Sequence, residues 1–182
     1  MSLVFETIQT EGIAVLSYLI GDDSSGTAAL VDPCADVERY VELARKKKVA
    51  ITHIFETHIH ADLVSGAREL QHRLGGDAKI VVSVEGGPTY DFPHHGIEDG
   101  DRFEFGSLLV VARHTPGHTP EHMAYVLHEK ERPDAPWGVL SGDSLGQHIS
   151  KPTIYFAMAF SLGVELLNLK LRKAPGELSS GL

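Results

Sequence analysis

Cysteine is almost absent from this chain: Cys34 is the single one, so no intramolecular disulfide can form and a disulfide-stapled secreted scaffold is excluded. Beside Pro33, Cys34 reads as a small packed residue. Basic side chains are also scarce. With 16 Lys and Arg against 25 Asp and Glu, the net charge is -9, which disfavours general binding to a phosphate backbone, because that needs clustered cations. The run Lys46-Lys47-Lys48 ends a predicted helix, where it complements the helix dipole. The N-terminus lacks the basic and apolar regions of a secretory leader, and a cytoplasmic protein is expected. Neither an internal repeat nor a low-complexity segment is found. At 182 residues the chain suits one domain with a substantial core.

What is present is a series of short apolar runs punctuated by turn residues. Runs at 4–8, 14–20 and 28–31, separated by Gly12 and by the 21–26 segment, predict an antiparallel opening. Val37, Tyr40, Val41 and Ala44 recur at helical spacing behind Asp36, an expected N-cap, so a helix should reach Lys47. A buried strand follows at 51–55. Val64, Ala67, Leu70 and Leu74 then repeat with the helical period, and Gly75-Gly76 supplies a stop. That helix should begin near Asp62. Further strands are predicted at 79–83, 103–105, 108–112, 123–127 and 137–140, with Gly106-Ser107 as a hairpin turn. The pattern gives a layered mixed α/β domain. Residues 153–169 are densely apolar but contain Glu165 and Asn168, and read as a buried helix rather than a membrane span.

Three of the runs end in segments that carry metal-ligand chemistry. The first is Thr57-His58-Ile59-His60-Ala61-Asp62, directly after the strand at 51–55; the second is His114-Thr115-Pro116-Gly117-His118-Thr119-Pro120-Glu121-His122; the third is Ser141-Gly142-Asp143-Ser144. Imidazoles and carboxylates at strand ends, next to Gly- or Pro-bearing turns, are what a metal site at one sheet edge requires. Spacing of two residues lets His58 and His60 point toward one centre.

These segments resemble the metallo-β-lactamase superfamily, whose signature is His-x-His-x-Asp-His, then a His in a Gly-His turn, then an Asp. Within it, the wording of 56–62 and 115–122 looks most like the persulfide dioxygenases, including members fused to rhodanese domains. The likeness covers about residues 5–145. It implies a layered αββα sandwich whose second half is incomplete, with a metallo-β-lactamase-like domain at 1–145 and a divergent apolar tail, expected helical, at 146–182. Two departures stand out. Leu63 occupies the place of the last His of the first motif, and no final ligand His of the family type follows Leu145.

By the resemblance, dinuclear members use a first site matched here by His58, His60 and His118, and a second site of which only Asp62 and Asp143 remain. A mononuclear centre is therefore expected. The persulfide dioxygenases hold one Fe(II) on positions matched by His58, His118 and Asp143, with His60 and Asp62 as catalytic groups that orient these ligands. Two imidazoles and one carboxylate leave coordination positions open. The implied reaction is oxidation of a low-molecular-weight persulfide, such as glutathione persulfide, by O2 to sulfite. In the alternative, a glyoxalase II-like thioesterase, one Zn²⁺ sits on His58, His60 and His118, and Asp62 accepts a hydrogen bond from the attacking water. A third alternative is a truncated, non-catalytic remnant. The expected partners are a thiol persulfide and O2, with no nucleic acid and no membrane, and a homo-oligomer or a partner covering the incomplete sheet.

The remaining polar residues carry plainer expectations. His114 and His122 flank the His118 turn and read either as groups supporting the ligands or as packing or exposed residues, His94-His95 as a solvated loop pair, and His53 as a satisfied core histidine. Asp32 before Pro33 is expected to cap the following turn. Arg68 reads as a surface residue, and His72 and His128 carry no signal.

Overall fold

The computed structural model describes residues 3–11, 15–60 and 63–142. The chain divides into units Met1–Leu145 and Gly146–Leu182, and every described residue lies in the first. Asp62, Asp143 and the apolar tail at 146–182 fall outside the described residues.

A six-stranded sheet holds β1 (Leu3–Gln9), β2 (Leu16–Asp22), β3 (Thr27–Val31), β4 (Ala50–Phe55), β5 (Lys79–Ser83) and β6 (His95–Ile97) in chain order. The first three pair antiparallel, and β3 to β6 run parallel. Parallel pairing needs crossovers, and α1 (Glu38–Lys47) and α2 (Ala67–Arg73) provide two of them. A second sheet has the order β10-β9-β8-β7, formed by β7 (Arg102–Phe105), β8 (Leu108–His114), β9 (Met123–Glu129) and β10 (Arg132–Leu140), all antiparallel. Pro133 and Pro136 suit β10 to its edge position, where a missing N–H costs no ladder bond.

Two apolar cores result from this layering. Tyr40, Ala44, Ala67 and Leu70 from the helices pack on Leu30, Ile54 and Ile80 of the first sheet. The opposite face of that sheet supplies Ile20, Val31, Phe55 and Val81, which meet Phe105, Val110, Tyr125 and Leu127 of the second sheet. Strands buried on both faces explain the continuous apolar runs at 28–31 and 51–55. Among the described residues no helix covers the outer face of the second sheet. No helix among them is long and apolar enough to cross a membrane.

Three local expectations are corrected. Val37, not Asp36, is the N-cap of α1, and no side chain caps that end. The second helix starts at Ala67 rather than near Asp62, and Val64 is 79% exposed; Ser65 Oγ instead accepts the Ala67 N–H at 3.0 Å. His95 belongs to a short strand, β6, in register with Val81. The Gly106-Ser107 hairpin turn is as expected, and the reason is specific: Gly106 has φ +61°, and a Cβ there would lie 2.7 Å from the Asp22 carboxylate.

Candidate metal centre

The site is assembled from the C-terminal ends of β4, β8 and β10. The turn after β4 carries His58 and His60, and the turn between β8 and β9 carries His118 and His122. Two hydrogen bonds join the turns: Met123 N–H donates to Thr57 O at 2.7 Å, and Ile59 N–H donates to Glu121 Oε1 at 3.1 Å. A third comes from the sheet beneath, where Tyr125 donates its hydroxyl proton to Glu56 O at 2.8 Å. After β10 the chain turns at Gly142, with φ +50°. A Cβ there would lie 2.4 Å from Thr57 Oγ1 and 3.1 Å from His122 Nε2, so only glycine brings this strand end against the other two.

The imidazoles gather around His58. Its ring centre lies 4.0 Å from that of His60, 4.8 Å from that of His118 at 86° between planes, and 5.2 Å from that of His122, nearly parallel at 27°. His58 and His122 are buried and His118 is exposed. Of the expected ligands, His58, His60 and His118 are thus brought together, while Asp62 and Asp143 lie outside the described residues. Among the described residues no group of three or more His, Cys, Asp or Glu is placed to hold a metal ion by itself. The donor set nevertheless suits one: metal–nitrogen bonds of about 2.0–2.1 Å put imidazole centres on a common ion about 4.5–5 Å apart, which is the spacing of His58 from His118, while His60 packs closer to His58 at 4.0 Å.

Beside the imidazoles is a cavity of about 200 Å³ lined by Glu56, His58, Ile59, His60, Leu63 and Phe92, among others. Leu63 therefore contributes apolar wall where the family motif has an imidazole. Burial first, and then the nearby Asp32, push the Glu56 carboxyl well above the usual range against the Ser65 hydroxyl bonded to it. Burial alone would raise Glu121, but the N–H donors of Glu121 and Ile59 outweigh it and hold this carboxyl below its ordinary value. Burial, Glu121 and Glu56 push the Tyr90 phenol up to about 12; it stays protonated and donates to Ser83 O at 2.7 Å.

Several residues differ from expectation. His122 is fully buried against His58, with Nδ1 3.0 Å from Thr115 Oγ1. Asp32 does not simply cap the next turn: its Oδ1 accepts the Thr57 N–H at 2.7 Å and its Oδ2 the Thr57 hydroxyl at 2.8 Å. Thr57 Oγ1 in turn lies 2.9 Å from His58 Nδ1. The motif spelling Pro120-Glu121-His122 was the one signal that could have drawn attention to Glu121 and His122. His114 stays peripheral, its Nε2 2.8 Å from Pro120 O, and His53 sits half-buried among Phe55, Phe103 and Phe105.

Comparison with known proteins agrees with this architecture. The metallo-beta-lactamase superfamily profile matches residues 10–132. A hydroxyacylglutathione hydrolase-like protein of Mus musculus is 33% identical over 159 residues, which is 80% of this chain and 52% of that protein. The mitochondrial persulfide dioxygenase ETHE1 of Bos taurus is 34% identical over 114 residues, 62% of this chain and 43% of that protein. A metallo-beta-lactamase structure from Staphylococcus aureus superposes with a TM-score of 0.71 at 33% identity, covering 78% of this chain and 43% of that one. The chain spans about half the length of the curated relatives it matches. With its two packed sheets, its flanking helices and its histidines at the strand ends, the chain belongs to the metallo-beta-lactamase superfamily.

Proposed function

We propose that this chain is a mononuclear iron enzyme that oxidises a low-molecular-weight persulfide, of the glutathione persulfide kind, with dioxygen and water to sulfite and the free thiol. The observation that carries this reading is Leu63, which lines the cavity beside His58 and His60 together with Ile59 and Phe92. A second metal there would face hydrocarbon instead of a ligand, which disfavours the two-metal chemistry of the hydrolytic branch and leaves the single-metal branch intact.

His58, His118 and Asp143 would hold the ion. Held by two imidazoles and a carboxylate, ferrous iron would supply open positions for a sulfur and for O2. The rest is the work of the chain. Thr57 and Glu121 fix the turn that carries His58 and His60, and His60 and Asp62 orient the ligands. The apolar wall of Ile59, Leu63, Ala67 and Phe92 keeps water from a thiol group placed beside His58, and Arg68 on the same cavity offers a cation to an anionic substrate.

A second reading, a one-zinc thioesterase, draws support from His60, whose ring is the nearer of the two expected neighbours of His58. It is also consistent with the hydroxyacylglutathione hydrolase-like relative. Oxygen uptake with glutathione persulfide, run beside hydrolysis of a glutathione thioester on the same metal-defined preparation, separates the two. Persulfide-dependent uptake is expected; thioester hydrolysis without it would overturn the proposal.

A further inference from the structure

Asp32 and Thr57 belong to none of the expected ligand sets, yet they form a continuous chain of bonds that ends on the ring of His58. Parallel pairing of β3 with β4 sets Val31 opposite Phe55, so the residues after each strand end side by side. Asp32, at φ +50°, turns away from the strand path, and its N–H donates to Phe55 O at 2.9 Å. A non-glycine residue in that conformation is strained and must be held by its surroundings. Here the restraints are the Ser17 hydroxyl, donating to Asp32 O at 2.7 Å, and the two bonds from Thr57 to the carboxylate. Ser17, Asp32, Thr57 and His58 are all buried.

The single proton of the Thr57 hydroxyl sets the direction of the whole chain of bonds. It is directed to Asp32 Oδ2 at 2.8 Å. A hydroxyl has one proton to give and lone pairs to offer, so at 2.9 Å from His58 Nδ1 the Thr57 oxygen accepts. Nδ1 must then carry the proton of the neutral ring, which leaves the lone pair on Nε2. In imidazole ligands the bond made by one nitrogen sets the state of the other. A metal requires an unprotonated nitrogen.

We propose that Asp32 is a positioning residue that acts through the Thr57 hydroxyl to hold His58 in its Nδ1–H tautomer, presenting Nε2 to a divalent metal. The role of Nε2 rests on the metal reading above; the tautomer does not. Thr57 is the intermediary, because its hydroxyl oxygen lies within hydrogen-bond distance of both Asp32 Oδ2 and His58 Nδ1. Gly142 supports the arrangement, since any Cβ there would displace Thr57 Oγ1. The relay also fits one fact of the sequence: the residue before His58 is a threonine, able to accept and donate at once, where a buried apolar residue would pack equally well.

The test is long-range proton–nitrogen correlation spectroscopy on the metal-free, nitrogen-15-labelled full chain, with the His58 ring signals identified by their loss in His58→Gln. The Nδ1–H tautomer is expected for the native protein and for Thr57→Ser, with a shift toward Nε2–H in Thr57→Val. Zinc and iron affinity should fall about 10- to 100-fold in Thr57→Val and return in Thr57→Ser. Should Thr57→Val not fold, Asp32→Asn gives the same reading, because an amide can donate to the hydroxyl and reverse the chain. An Nε2–H ring in the native protein, or a tautomer indifferent to these substitutions, would overturn the proposal. A native protein with the Nδ1–H ring that takes up neither metal supports the relay and overturns only the metal reading.

Discussion

Three imidazoles that share one neighbourhood need not share one role, and single substitutions separate them. In the iron reading His58 and His118 are ligands and His60 is not. His58→Ala and His118→Ala should therefore lose stoichiometric iron, while His60→Ala keeps it and turns over more slowly; loss of metal in His60→Ala would favour the three-histidine zinc site. Elemental analysis with oxygen-uptake rates reads both. Glu121 makes a different contribution, because its carboxylate is the acceptor for the Ile59 N–H and ties the His118 turn to the His58 turn. Glu121→Ala leaves that N–H without its acceptor, at a cost of about 1–3 kcal/mol, and urea unfolding should show it together with weakened metal uptake. At this scale the sequence displayed the histidines but not their supports. His58, His60 and His118 stand in a recognisable local order, whereas the bonds of Asp32 to Thr57 span 25 positions and exist only because two parallel strands end together. The burial of His122 was undecided for a similar reason: whether a histidine at a strand start is buried depends on what packs over it, and that is the turn after β4.

The elements hold together through a few polar contacts as well as through the cores. Asp22, at the end of β2, accepts bonds from the N–H and hydroxyl of Ser107 in the β7–β8 hairpin and of Ser24 in its own turn, so it pins one sheet to the other. Asp22→Ala should cost about 2–4 kcal/mol, because four part-buried bonds converge on one charged group. The Ser107 and Ser24 donors hold the Asp22 carboxyl far below the usual range. The stabilisation is therefore complete above the unfolded-state value of about 3.9 and declines as pH falls below it toward the folded value. Urea midpoints measured between pH 7 and pH 2 should fall less steeply for Asp22→Asn than for the native chain. His53 has the same sign at a higher pH. Burial, Lys79 and His95 lower its pKa from 6.5, so the unfolded chain takes up the proton first and stability drops as pH falls below about 6.5. Replacing it by Phe, which suits its ring of Phe55, Phe103 and Phe105, should flatten that part of the pH profile. Short apolar runs bounded by turn residues made most strands legible. The three residues of β6, with one apolar side chain among them, are too few to show a period, and the start of α2 was misplaced because Val64 has the right spacing but faces solvent.

For the whole molecule, a layered mixed α/β architecture could be read from the alternation of apolar runs and helical periods, and the superfamily from the motifs at their ends. The motifs ranked persulfide oxidation before thioester hydrolysis, and relatives of both classes match the chain, since fold does not fix chemistry. The chain spans about half of its curated relatives, and the first sheet with its two helices brings together His58, His60 and the supporting residues Asp32 and Thr57, to which the second sheet adds His118 and His122. Function therefore turns on whether this half-length scaffold selects one metal, and which. The direct measurement is the iron, zinc and manganese content of the full chain purified without oxygen, by elemental analysis. About one iron per chain, with little zinc, is the expected result. Two metals per chain, or zinc alone at one per chain, would contradict the mononuclear iron centre.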